Sequence, residues 1–126
     1  MAIEYYSDIS VNGKVGVGIA SPVSILHVKQ DDSNTGTGAG ITVENDGTGD
    51  ALVQYLLTGT KRWVTGIDNS DGNKFKIAST ATLGSDDEFT LDNSGNATFT
   101  GDITCGDDLF MPSGGVINFN SGDVTM

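Results

Sequence analysis

Basic residues are scarce in this chain: six Lys and Arg stand against 17 Asp and Glu, for a net charge of −11. Neutralising phosphates takes clustered cations, and only Lys61 and Arg62 are adjacent, so the composition argues against a nucleic-acid partner. Cys105 is the only cysteine, which excludes an intrachain disulfide and a Cys-x-x-Cys metal site. His27 is the only histidine, and it lies in the hydrophobic run "SILHV", which leaves no Ser-His-Asp arrangement to argue. No apolar run approaches the roughly 18 residues of a membrane span. No signal-peptide core follows Met1, so synthesis in the cytosol without membrane insertion is the expectation.

Hydrophobic residues are also sparse, at 37% of 126 residues. Leu, Ile, Val and Phe together number 31, still above the roughly one-fifth level where disorder becomes the default. Gly, Ser, Thr, Asn and Asp dominate instead, and these supply turns and fit poorly in helices. The expected class is all-β, with many short strands and glycine turns.

The pattern along the chain agrees. "ISVNGKVGVGI" places Ile9, Val11, Val15, Val17 and Ile19 on alternate positions around Asn12-Gly13, the strongest short-range hairpin signal. "FTLDNSGNATF" turns at Ser94-Gly95, "VINFNSGDVTM" at Ser121-Gly122, and "WVTGIDNSDGNKFKI" at Asp71-Gly72. The dense apolar cluster Ala51 to Leu57 is too short for a stable lone helix and is cut by Thr58-Gly59, so it reads as a strand buried on both faces. Four regions follow: an N-terminal strand region 1–30, a polar glycine-rich loop 31–40, a central β region 41–103, and a shaft-like C-terminal repeat 104–126, truncated or processed.

Strands with one narrow apolar face bury too little area to offset chain entropy of about 1–2 kcal/mol per residue, and open edges invite aggregation. Three copies wrapped about one axis would share a core, with the odd positions Ile9, Val11, Val15, Val17 and Ile19 facing it together with Leu91, Phe99, Ile103, Ile117 and Phe119.

Candidate sites are few. Gly13, Gly16 and Gly18 do not make a phosphate loop, because Asp8 stands where its first glycine belongs and Val15 where Ser or Thr belongs. "DNSDGN" resembles a calcium loop, but Ile67 replaces its first Asp and the distal Glu is missing. Asp86, Asp87 and Glu88 read as a solvated acidic turn rather than a glycosidase pair. His27 is either a partly buried packing residue or, with three copies near an axis, a metal ligand. Trp63 and Arg62 are candidates for glycan contact, with structural packing of Trp63 as the alternative. No catalytic residue and no cofactor are expected.

"VGVGIASPVSILHV" resembles the "VGIGT-x-x-P-x-x-x-LHV" element of bacteriophage tail-fibre and related trimeric virion proteins. Val15, Gly16, Gly18, Pro22, Leu26, His27 and Val28 match it, and Ala20 replaces the usual Thr. The resemblance implies an elongated, intertwined homotrimeric β-fibre, β-prism or β-helix-like, made in the host cytoplasm and carried on the virion. Other virion proteins and a host surface glycan are the implied partners. A capsid decoration protein is the alternative, and a polysaccharide-degrading tailspike fragment a further one. Such fibres often end in a self-cleaving chaperone domain, which this sequence does not show.

Overall fold

A computed structural model describes residues 11–33, 35–36, 38, 40–111 and 113–115. Ile9, Ile117, Phe119 and the Ser121-Gly122 turn lie outside them. The described chain is all-β: seven strands and one three-residue 3-10 turn, Asn69–Asp71. It divides into two units, Met1–Asn45 and Asp46–Met126.

In the first unit, β1 (Val15–Val17) pairs in parallel with β2 (Leu26–Val28), Val15 opposite Leu26 and Val17 opposite Val28. Parallel neighbours ordinarily need a connection of a dozen or more residues, yet here residues 18–25 suffice. Two devices make the short return possible. Gly18 has φ +72°, and a Cβ there would collide with the Lys29 carbonyl oxygen, so only glycine fits. Lys14 Nζ donates to the carbonyls of Pro22 (3.1 Å) and Val23 (3.3 Å), tying the loop across its middle. The close backbone approach at Gly18 therefore occurs within one chain. No strand occurs in the described residues of 31–40, where the Gln30 side chain accepts from Gly40 N at 3.0 Å and donates to Asp32.

The second unit is a five-stranded antiparallel meander: β3 (Ala51–Leu57), β4 (Lys61–Asp68), β5 (Lys74–Ala78), β6 (Asp87–Leu91) and β7 (Ala97–Phe99), in sheet order 3-4-5-6-7. Its turns follow from local chemistry. Asp92 accepts from Ser94 N and Asn96 N, both 2.8 Å, and Gly95 takes φ +85° to close the β6–β7 hairpin. Asp68 caps the 3-10 turn, which Gly72 ends in the left-handed region at φ +66°. The expectation that β3 is buried on both faces is overturned: β3 is an edge strand, and Tyr55, Leu56 and Leu57 are exposed.

Alternation gives the sheet two unlike faces. On one, Val64 and Ala78 are opposite each other and fully buried, with Leu83 of the 79–86 loop folded over them and Leu52 alongside. Lys76 and Asp68 belong to this face too and are also buried. On the other face, residues in register form two rows that cross all five strands. One row is Ala51, Ile67, Phe75, Leu91 and Ala97; the other is Val53, Thr65, Ile77, Phe89 and Phe99. We call these the lysine face and the aromatic face. Leu91 and Phe99 lie on the aromatic face, whereas Ile103 follows β7 outside any strand and is exposed.

Gly66, in the middle of β4, sits on the lysine face against β3. A Cβ at this position would collide with the Ala51 carbonyl oxygen and come within 2.7 Å of Leu52 Cα. Its lack of a side chain lets β3 and β4 lie together in this register.

Candidate functional site

The most heavily constrained group of polar side chains surrounds Lys76. Its Nζ lies 2.9 Å from Asp68 Oδ2, 2.7 Å from Asp71 Oδ2 and 2.8 Å from Asp87 Oδ2. The lysine and Asp68 side chains are almost wholly buried, Asp87 is mostly buried, and Asp71 is open to solvent. Three acceptors match the three donors of an ammonium. The remaining Asp68 oxygen accepts from Ser70 N (3.0 Å), Ser70 Oγ (2.7 Å) and Asp71 N (3.1 Å). Lys74 adds a second cation, 2.9 Å from Asp71 Oδ1.

A bulge delivers Asp87 to this cluster. Ile77 pairs with Phe89 but Ala78 pairs with Asp87, so Glu88 is the extra residue. A regular ladder would point Glu88 at the lysine face and Asp87 away from it; the bulge brings Asp87 to the lysine face instead. Thr100 fixes the irregularity, its N donating to Glu88 O at 3.2 Å and its Oγ1 to Asp87 O. Asp87 Oδ1 also accepts from Gly84 N at 2.9 Å. The expectation of a solvated acidic turn at 86–88 is therefore corrected for Asp87.

Burial alone would lower the Lys76 pKa, but the hydrogen bonds it donates to the Asp71, Asp87 and Asp68 carboxylates reverse this and raise it above the ordinary 10.5. Such an ammonium keeps its proton at neutral pH and cannot act as a base or an amine nucleophile. It behaves as a built-in cation. Burial would raise the Asp68 carboxyl, yet hydrogen bonds from Lys76 and Ser70 outweigh it and hold the group below 3.8. Lys76, then Lys74, lower Asp71 in the same direction.

A carboxyl lowered by folding contributes stability that is complete above its unfolded value and is lost as pH falls through its folded value. The urea midpoint of the protein is thus expected to hold steady from about pH 5 to pH 8 and to fall below about pH 4. Lys76 adds no loss in that range, because its contribution fades only as pH rises past the lysine range. A midpoint independent of pH down to about pH 2 would contradict the cluster.

The residues singled out from the sequence lie elsewhere. His27, half-buried in β2, accepts at Nδ1 from Val23 N at 3.3 Å, which leaves Nε2 as its other nitrogen. Among the described residues, no group of three His, Cys, Asp or Glu side chains is placed to hold a metal ion. Trp63 stands on the aromatic face directly opposite Tyr55, with Lys61 Nζ 5.6 Å from its ring. Arg62 alternates onto the other face. The structure does not bring Trp63 and Arg62 together. Tyr55, Leu56, Leu57, Lys61 and Trp63 line an open, largely apolar recess of about 370 Å³ at the end of the β3–β4 hairpin.

No protein-family model, curated protein or solved structure matches this chain. Among the described residues, no helix is long and apolar enough to cross a membrane.

Proposed function

We propose that this chain is a structural segment of a virion, a homotrimeric tail-fibre or spike piece that serves host attachment without catalysis of its own. The observation that carries the proposal is the smallness of the core. Val64, Ala78 and Leu83 are the only buried hydrophobic side chains among the described residues. At about 25 cal/mol per Å² of apolar burial, three side chains of this size offset little of the ordering cost of a five-stranded sheet. A chain so built is completed by other copies of itself, as the fibre-like opening element implies. Parallel pairing through a short return, seen in β1 and β2, also suits a chain that winds along an axis.

Attachment on this reading belongs to the assembled fibre. A Trp63–Arg62 clamp on a sugar does not fit, because the two side chains leave the sheet on opposite faces. Sedimentation equilibrium tests the proposal: three times 13.0 kDa is expected at micromolar concentration, and a species of 13.0 kDa would refute it. Immunogold labelling of particles then separates a tail position from the capsid-decoration alternative.

A further inference from the structure

We infer that the aromatic face of the β3–β7 sheet is the surface on which copies of this chain pack against one another. The inference rests on the trimer reading and assigns it a contact surface. Its first support is an inversion in β5, "KFKIA". Lys76 is turned into the monomer and neutralised there by three carboxylates, while Phe75, its neighbour, is left 41% exposed. An ordinary half-buried strand does the reverse. A sheet that invests an ion cluster in its covered side and leaves aromatic rows on its open side has a second covering still to come.

The area is sufficient for a copy to supply it. Tyr55 is 60% exposed, Trp63 38% and Phe99 50%. With Phe75, these four rings alone offer roughly 400 Å² of apolar surface. Val53, Ile67, Leu91 and their neighbours extend the patch toward the ~800 Å² that each partner gives to a standard interface. A contiguous apolar patch above a few hundred Å² marks an interaction site on a soluble protein.

Charge selects the occupant. The chain carries 17 acidic residues, yet the two rows and the Tyr55–Trp63 pair contain none, and the paired positions on this face add only the cation Lys61. Elsewhere two copies at −11 repel; here they can approach closely. A single lysine is too little for nucleic acid, and an acidic chain is repelled from an anionic lipid surface. A second copy meets the same apolar, uncharged face without either obstacle.

Trp63 is the chain's only tryptophan and stands on the face in question, so the unmodified protein reports on it. Sedimentation equilibrium of the full chain is combined with acrylamide quenching of Trp63, and with the edge-strand variants Tyr55→Glu and Phe99→Glu. The expected result is a multimer whose Trp63 is shielded and becomes quenchable on dilution to monomer. Each variant should keep its strand circular dichroism and dissociate at least about 30-fold more readily, as for an interface hot spot. A wild-type multimer with Trp63 as quenchable as in the unfolded chain, or folded variants of unchanged mass, would overturn the inference while leaving the trimer standing. A wild type of 13.0 kDa would overturn both. Should the variants lose their strands, the quenching of the unmodified chain decides.

Discussion

A Lys76→Met chain is expected to lose about 3–5 kcal/mol of stability at neutral pH and to recover part of it on acidification. Methionine keeps most of the lysine stem's volume, so the filling of the lysine face changes little. What disappears is the charge. Asp68 and Asp87 would then face each other buried, without the ammonium that both now contact at 2.9 and 2.8 Å. Burial without a counter-charge favours the protonated carboxyl, so these groups would take up protons more readily folded than unfolded. A carboxyl raised by folding costs stability as pH rises, the opposite slope to that of the wild type. Guanidinium midpoints of the two proteins at pH 7 and near pH 4 should converge. Equal midpoints at pH 7 would show that Lys76 is not the counter-ion of a buried cluster.

Gly66→Ala is expected to cost about 3 kcal/mol, the upper end for overpacking, because the obstacle is main chain. The new methyl would meet the Ala51 carbonyl and Leu52 Cα, neither of which can rotate away. β3 must move off β4, and the first amides to lose protection should be those of Ala51–Leu57. Hydrogen exchange reads this directly: β3 opens while the β5–β6 pairing stays protected. Gly101→Ala is the control, since nothing lies within 4 Å of a Cβ there. Loss of protection spread evenly over the sheet would mean that the β3–β4 approach is not the constraint.

How much of this was legible in the sequence differs from element to element. The turns were. Asp92 to Asn96 and Asp68 to Gly72 announce themselves by side chains that bond their own backbone and by glycines that take positive φ. The strand at Ala51–Leu57 was legible from its length and its Thr-Gly stop, but its place at the sheet edge was not, since alternation says nothing of neighbours. Alternation in "KFKIA" likewise separates two faces without saying which is inside. Composition puts lysine outside, and three carboxylates brought from β4, the 3-10 turn and β6 decide otherwise. Asp87 was hidden by its bulge, which a period of two cannot anticipate. The partner of β1 was obscured by the Asn12-Gly13 signal, which points back toward Ile9, whereas the described partner is β2.

The sheet order of the second unit is the order of synthesis, each strand pairing with the one just before it. Such a meander has few long loops to close, and local pairings form in microseconds to milliseconds. The five strands can therefore begin to pair on a single chain, hairpin by hairpin, before any encounter with another molecule. If copies associate as proposed, encounter is the slow step, and it depends on concentration. On that proposal, an interval lies between the two in which a paired but uncovered sheet shows its aromatic rows and the uncharged edge of β3 to whatever is nearby. Refolding followed by strand signal and by mass would separate these stages in time, the first independent of protein concentration and the second set by it.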